Sequence, residues 1–173
     1  MRITIVLGPL NPPPPGPAGA VEKRWSRKAS LFAQRGHEVT IICRDHPDLP
    51  QESVIDGVRY VPLPAARRLG TGWLDALRDF PYSRRARKTL PSADITLTNC
   101  FWLPALLRGK GPWGALDVHI ARVPKGQMWL YKHADRISTV SSYVANLIRK
   151  ELPNDQGDKV RWITNPVDTE VFH

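Results

Sequence analysis

The sequence predicts an α/β fold with a doubly wound, mostly parallel, Rossmann-like sheet of about seven strands and helices on both faces. Short runs of β-branched apolar residues alternate with segments whose apolar residues recur every three or four positions. The connections from helix to strand are short, as in layered α/β folds. The first strand also leads directly into a loop rich in glycine and proline and then into a helix, which is an arrangement suited to anion binding.

This first unit organises the prediction. Arg2–Leu7 forms an unbroken apolar run, typical of a strand that is buried on both faces. The loop Gly8–Ala20 follows, and Gly36 supplies a residue that can adopt a left-handed conformation and end the helix. Four apolar residues predict one buried helix face: Val21, Trp25, Ala29 and Phe32.

The next segments predict two more strands. Val39–Arg44 begins directly after the helix, and Gly57–Pro64 reads as a third strand. Asp45–Asp56 is polar and broken by prolines, so we expect a loop there. Pro62 and Pro64 confine the end of the third strand to a sheet edge or exit.

The second half continues the alternation. We expect a helix over Trp73–Leu90, in two pieces interrupted at Phe80-Pro81, and a short helix over Phe101–Leu107 with Pro104 in its first turn. Pro124 is expected to open a helix through His133, and Ser141 to cap a helix over Tyr143–Leu152. The remaining strands are predicted at Asp94–Asn99, Leu116–Ala121, Arg136–Val140 and Val160–Ile163.

In a doubly wound sheet, ligands bind beyond the carboxyl ends of the strands. This rule selects residues that directly follow predicted strands: the Gly8–Ala20 loop, Asn99, Ala121–Gln127, Ser141 and Asn165. We therefore expect these residues to line one edge of the sheet.

Composition sets limits on function. The 173 residues suit one domain, 1–173, and carry a formal charge of +9. The excess is clustered on the first helix, at Arg67-Arg68, and at Arg84, Arg85, Arg87 and Lys88. Such clusters attract nucleic acid, anionic lipid or phosphorylated substrates, or simply form a solvated face. No nucleic-acid-binding motif accompanies them, so we expect no nucleic-acid partner.

The same survey addresses location and metals. The sequence lacks an apolar leader and a spanning segment, which favours the cytoplasm, with the Arg84–Lys88 patch as a candidate contact to the inner face of a membrane. Cys43 and Cys100 suggest neither a disulfide framework nor a metal site.

Five stretches of the chain match short motifs in a fixed order. Pro17–Glu22 is similar to P-x-G-G-x-E, and Arg35–Thr40 is a short helix-to-strand junction. Gly57-Val58 opens a strand that ends in Pro62. Ala134–Ser141 is similar to A-D-x-I-x-x-x-S, and Asn165–Phe172 to N-G-V-D-x-x-x-F. Together the five stretches resemble the N-terminal half of GT-B glycosyltransferases, in the retaining family that includes sucrose synthases and bacterial polysaccharide enzymes.

The resemblance implies a metal-independent, retaining hexosyltransferase that uses a nucleotide sugar as substrate and needs no cofactor. A separate C-terminal domain would hold the donor, so this chain alone should not turn over. This domain would bind a saccharide or lipid-linked acceptor and offer Gly16, Gly19 and Ala20 to the donor phosphates. Ala20 departs from the family's paired glycines.

Acceptor-side candidates follow from the same comparison: Asn99, Arg122, Lys125, Ser141 and Asn165. The family's histidine after the fifth predicted strand is replaced by Arg122 and Lys125, cations that suit an anionic acceptor and not a proton transfer. His119 lies within that strand, where a satisfied core histidine is the preferred interpretation, and no general base is named.

Two other functional classes share this predicted fold or its charge pattern. A nicotinamide-dependent oxidoreductase needs G-x-G-x-x-G after the first strand and an acidic residue ending the second, whereas here a proline loop follows and Cys43-Arg44 ends that strand. A non-catalytic module that binds a phosphorylated glycan or anionic lipid surface remains the alternative.

Overall fold

A computed structural model describes residues 1–51, 53–66, 70, 72–153 and 155–165, and at Trp73 it describes the backbone alone. The expected basic pair Arg67-Arg68 and residues 166–172 of the last family motif lie outside this part. The described chain contains eight strands in one sheet, in the order β3-β4-β2-β1-β5-β6-β7-β8. The expectation of an α/β, mostly parallel sheet is confirmed.

The strands are bounded as follows: β1 Arg2–Val6, β2 Glu38–Arg44, β3 Ser53–Ile55, β4 Val58–Leu63, β5 Ile95–Thr98, β6 Ala115–Ile120, β7 Arg136–Thr139 and β8 Val160–Trp162. The α-helices are α1 Ala20–Gln34, α2 Gly72–Thr89, α3 Leu103–Leu106 and α4 Ser142–Glu151. Short 3₁₀ turns cover Met128–Tyr131 and Gly157–Lys159.

Helices cover both faces of the sheet, as expected. Successive residues of a strand point to opposite faces, and on β1 Ile5 packs with Trp25 and Ala29 of α1. Val6 belongs instead to the core formed with α2, α3 and α4. Within the described chain, α1 is therefore the only helix on its face, where it contacts β2 and β4.

The strand order places a switch point beside β1. The chain runs from β1 outwards through β2 and β4, and then crosses to β5 on the other side of β1. Helices leave neighbouring strands in opposite directions at such a point, so the carboxyl ends of β1 and β5 are where a doubly wound sheet is expected to form its ligand crevice. This is the position of Gly8 and Asn99.

Three sequence expectations were wrong in detail. The segment Asp45–Asp56 is not entirely loop, because β3 lies within it and pairs antiparallel to β4, giving eight strands where about seven were expected. The two strands join through Asp56 and Gly57, both with positive φ (50° and 76°), as a tight hairpin turn requires.

The other two errors concern helices. The segment expected to break at Phe80-Pro81 is one helix. Pro81 and Leu77 are both exposed, and on an exposed face water can reach the carbonyl that a proline leaves without its helical donor. The helix expected to run from Pro124 to His133 is only a 3₁₀ turn, because Gly126 adopts φ 84°. Its amide donates to Oε2 of Glu151 over 3.0 Å.

Local signals were otherwise confirmed. Gly36 adopts φ 81° after α1, and Pro104 lies in the first turn of α3. The expected apolar face of α1 is packed inward, with Trp25 and Ala29 buried. The two cysteines are separate buried thiols.

Candidate functional site

The end of β1 is joined to the end of β5 at the switch point. The buried Gly8 amide donates to Oδ1 of Asn99 over 2.8 Å. The Thr98 hydroxyl donates to the Val6 carbonyl over 3.0 Å. Asn99, selected from the sequence as an acceptor-side residue, thus also fixes the start of the Gly8–Ala20 loop. Its Nδ2 makes no hydrogen bond within the described residues and so stays available at the crevice.

Helix α2 holds both of these strand ends from the side. The Tyr82 hydroxyl donates to the carbonyl of Leu7 over 2.9 Å. Asp79, one turn earlier, accepts from the amides of Phe101 (2.7 Å) and Trp102 (3.0 Å) through Oδ2. Burial raises the pKa of Asp79, and these hydrogen bonds oppose that rise. Sequence reasoning missed this pair, because neither residue lies near a strand end along the chain.

The proline segment folds back on itself. The Gly16 amide donates to the Pro13 carbonyl over 3.0 Å around a cis Pro14-Pro15 bond. A Cβ at Gly16 would lie 3.1–3.3 Å from Pro12, Pro13 and His46, so the residue is closely packed. Gly16, expected to contact the donor phosphates, therefore has a clear structural role within the loop.

Gly19 is the N-cap of α1 and is constrained by space. Its backbone is extended (φ −75°, ψ 175°), which any residue adopts, and no side chain caps the helix. A Cβ there would lie 2.6 Å from Oε2 of Glu22 and 2.8 Å from Nδ2 of Asn11. Ala20, the first helical residue, is exposed. Both atoms are the ends of flexible side chains, so a larger residue at position 19 would require Glu22 and Asn11 to move and would disturb the contact between them.

Glu22 lies in the first turn of α1 and is only 4% exposed. Its Oε2 accepts from Nδ2 of Asn11 over 3.4 Å, which ties the loop to the helix. A carboxylate is stabilised near the positive end of a helix dipole. It also reduces the positive potential that a ligand would meet there, so an anion at this helix end needs other positive groups nearby.

Such groups follow on α1. Arg24 donates through Nη1 to Oδ1 of Asn165, and Lys28 lies 4.8 Å from the centre of the Trp25 ring. Burial lowers the pKa of Lys28, and the charge of Arg24 lowers it further. Arg24 thus reaches the segment after β8, while the charge of Lys28 acts on Asp117 and His119 of β6. Arg24 brings Asn165 to the helix that begins at Ala20.

A buried polar cluster lies beneath these cations. Nδ1 of His119 is 3.2 Å from the Ser138 hydroxyl, and the Trp25 ring meets the imidazole edge-on at 5.2 Å. Burial lowers the pKa of His119 to about 4, helped by Lys28 and Arg24. Burial raises the pKa of Asp117, opposed by a hydrogen bond from Ser138.

Two atoms of this cluster, Nε2 of His119 and Oδ1 of Asp117, lack a partner within the described residues. His119 is buried as expected, but it is not fully satisfied. The signal available in the sequence was the alternation in β6, where Asp117 and His119 interrupt apolar neighbours. A strand covered by apolar layers on both faces is apolar throughout, so this pattern indicated a polar layer on one face.

The other acceptor-side residues stand apart from this cluster. Arg122 and Lys125 are exposed on the loop after β6, and the Lys125 amide donates to Oε1 of Gln127. The Ser141 hydroxyl accepts from the Val144 amide over 3.2 Å and caps α4, as predicted. The structure links Gly8 to Asn99 and Arg24 to Asn165, while Arg122 and Lys125 lie on a separate loop at the same edge.

Two surveys of the described residues bear on the kind of site. They contain no group of three or more His, Cys, Asp or Glu side chains arranged to hold a metal ion. None of the described helices combines the length and the apolar character needed to cross a bilayer.

Comparisons with known proteins identify the family and support the fold. The family model described as Glycosyltransferase Family 4 matches residues 21–171. Among solved structures, a sucrose-phosphate synthase from Thermosynechococcus elongatus is similar over 100% of this chain and 50% of its own, with a TM-score of 0.72 and 12% identity. The N-terminal domain of a Candida albicans trehalose-6-phosphate phosphatase is similar over 98% of this chain and 49% of its own, with a TM-score of 0.62 and 15% identity.

At those identities the two structures show the fold alone, and the chain spans about half the length of each. A search of curated proteins found no match.

Proposed function

The chain belongs to glycosyltransferase family 4, and from this premise we propose that it is the acceptor-side domain of an enzyme that transfers a sugar from a nucleotide-sugar donor. The donor acts as substrate, with no cofactor. A second domain would hold most of the donor, which agrees with a chain that spans about half the length of the matched structures. Transfer with retention and without a metal ion is what the family resemblance implies.

The observation that carries the proposal is the uncapped start of α1 at the carboxyl edge of the sheet. Gly19 provides no side-chain cap, and Ala20 is exposed. The first-turn amides of a helix point outwards from its N-terminus and lack partners within the helix. Arg24 lies one turn further along the same helix. The carboxylate of Glu22 reduces the positive potential at this helix end, so the amides alone hold an anion less well. The guanidinium of Arg24 adds the positive charge that a diphosphate needs.

This arrangement suits the chemistry of glycosyl transfer. As the bond from sugar to diphosphate breaks, negative charge develops on the leaving phosphates. Fixed amide dipoles stabilise that charge without having to reorient. In this proposal the closely packed Gly16 keeps the loop folded, and Ala20 is the residue nearest the ligand.

The acceptor would lie across the crevice, against the loops that follow β5 to β8. Oδ1 of Asn99 is bonded at the switch point while its Nδ2 makes no hydrogen bond within the described residues, and Asn165 is held by Arg24. Arg122 and Lys125 are exposed cations that suit an anionic acceptor or its phosphate. Ser141 contributes through the start of α4, because its hydroxyl already serves as the cap. A cytoplasmic enzyme acting on saccharide or lipid-linked acceptors fits these features.

The test is a titration of the chain with uridine, adenosine and guanosine diphosphates, in which NMR chemical shifts of the backbone amides report which residues meet the nucleotide. We expect at least one nucleotide to shift the amides of residues 19–22. Ala20→Glu keeps the helix start intact, because an acidic residue is favourable in a first turn, and it should weaken binding by tenfold or more through repulsion. Ser142→Glu, which adds the same charge to the first residue of α4, is the matched control and should leave binding unchanged.

Shifts confined to other parts of the chain, or equal losses in the two variants, would contradict the placement of the diphosphate at α1.

A further inference from the structure

The outward side of α2 presents a patch of apolar and cationic residues. Five exposed side chains share this side, with the apolar pair preceding the cations along the helix: Leu77, Phe80, Arg84, Arg87 and Lys88. Their spacings of three, four and seven residues place them on one face. We call this set the α2 surface. The opposite side of the helix is buried through Asp79, Tyr82 and Ala86.

The cations of the α2 surface have no acidic partner in the part of the chain that the structure describes. Within the described residues, the side chains of Arg84, Arg87 and Lys88 form neither ion pairs nor hydrogen bonds. Of the acidic residues on this helix, Asp79 is buried and already accepts two backbone amides. Among the described residues, the positive charge of the surface is therefore not paired with an acidic side chain, and these cations are exposed to solvent.

The apolar end of the α2 surface is continuous with the edge of the sheet that carries the candidate site. Leu77 is 54% exposed and Phe80 is 39% exposed. The Phe80 ring meets the Trp102 ring at 5.7 Å, and Trp102 meets Phe101 at 5.2 Å. Trp102 donates through Nε1 to the Ala76 carbonyl over 2.7 Å, which holds α2 against the loop that follows Asn99.

We propose that the α2 surface docks the protein onto an anionic phospholipid bilayer. Arg and Lys side chains match the negative headgroups, while Leu77 and Phe80 enter the boundary between headgroups and acyl chains. A nucleic acid would use the cations but leaves the exposed leucine without a role. Docking of this surface brings the acceptor crevice beside the bilayer. If the proposed function holds, on which this step rests, the acceptor is a sugar carried on a membrane lipid.

The first experiment measures binding of the 173-residue chain to vesicles by sedimentation. We expect binding to phosphatidylcholine vesicles that contain about 30% anionic phospholipid and little binding to pure phosphatidylcholine. Each cation near such a surface contributes about fivefold in affinity. We therefore expect binding to weaken by roughly a hundredfold in the triple variant that combines Arg84→Gln, Arg87→Gln and Lys88→Gln.

The matched control neutralises three exposed cations elsewhere, with Arg35→Gln, Lys110→Gln and Lys150→Gln. It changes the net charge equally and should weaken binding by less than tenfold. Equal losses in the two triple variants would show non-specific attraction by net charge and would overturn the proposal.

The second experiment tests the apolar part. Leu77→Gln should reduce affinity for anionic vesicles severalfold, and the reduction should persist at high salt, where charge attraction is screened. The control is Val54→Gln, since Val54 is 71% exposed on β3 at the far edge of the sheet. An unchanged affinity for Leu77→Gln, or binding of short single-stranded RNA that the vesicles cannot displace, would count against a bilayer as the partner.

Vesicle binding does not depend on sugar transfer. If the nucleotide titration fails and the vesicle result holds, the donor site is refuted and the docking surface stands. If the vesicle result fails while the nucleotide binds at α1, the docking surface alone is refuted.

Discussion

The amide of Gly8 donates to Oδ1 of Asn99 over 2.8 Å, so the second residue after β1 is fixed to the first residue after β5. These strands are neighbours in the sheet although 91 positions separate the two residues. The bond closes the floor of the crevice from which the Gly8–Ala20 loop rises. It therefore couples the stability of the fold to the geometry of the candidate site.

Replacing Asn99 tests this coupling. Asn99→Leu leaves a buried Gly8 amide without an acceptor, and we expect a loss of roughly 1–3 kcal/mol in the free energy of unfolding. Asn99→Asp retains an acceptor oxygen and should lose less. Urea denaturation of both variants is the measurement. If the two variants were equally stable, the hydrogen bond to the Gly8 amide would not account for the loss in the free energy of unfolding.

Asp79 holds the loop that follows β5, at the crevice, through the amides of Phe101 and Trp102. Asp79→Leu removes the acceptor of the Phe101 and Trp102 amides, and we expect a destabilisation of about 3 kcal/mol or more. Asp79→Asn keeps one oxygen for these amides and can place its nitrogen towards Ser83, so it should cost less. Denaturation followed by tryptophan fluorescence measures both. A Leu variant as stable as the Asn variant would contradict the role assigned to this carboxylate.

Ser141 should contribute as a helix cap. Ser141→Ala removes the oxygen that accepts from Val144, and we expect the free energy of unfolding to fall by about 1 kcal/mol. The neighbouring Ser142 is exposed and already helical, so Ser142→Ala provides a control with an expected change close to zero or slightly stabilising. A similar loss in both variants would mean that the cap contributes nothing.

His119 should make the protein less stable in mild acid. Its pKa is about 4 in the fold against an ordinary 6.5, so the unfolded chain binds the additional proton between these values. Stability from this residue is therefore complete above pH 6.5 and is lost as pH falls towards 4. We expect a loss of about 2 kcal/mol on going from pH 7 to pH 5.

The raised pKa values of Asp79 and Asp117 make the fold more stable as pH falls, which opposes the effect of His119. The contribution of His119 is therefore measured as the difference between two proteins. Urea denaturation at both pH values, for the unaltered protein and His119→Gln, isolates the histidine. An identical pH dependence in the two proteins would contradict the assignment.

Several features of this protein were determined by its sequence alone because they depend on neighbouring residues. The turn at Gly36, the cap at Ser141 and the proline in the first turn of α3 follow from backbone stereochemistry within a few positions. The strands buried on both faces were recognisable because a parallel sheet requires continuous apolar runs. The family resemblance and the selection of one sheet edge rest on these local signals.

The tertiary structure decided which strands adjoin and which side chains meet. Only the strand order brings Asn99 to Gly8, and only the packing of α2 brings Asp79 to the loop after β5. The polar cluster at His119 depends on β6 and β7 lying side by side beneath cations of α1. Such contacts join residues far apart in the chain, so no short stretch of sequence encodes them.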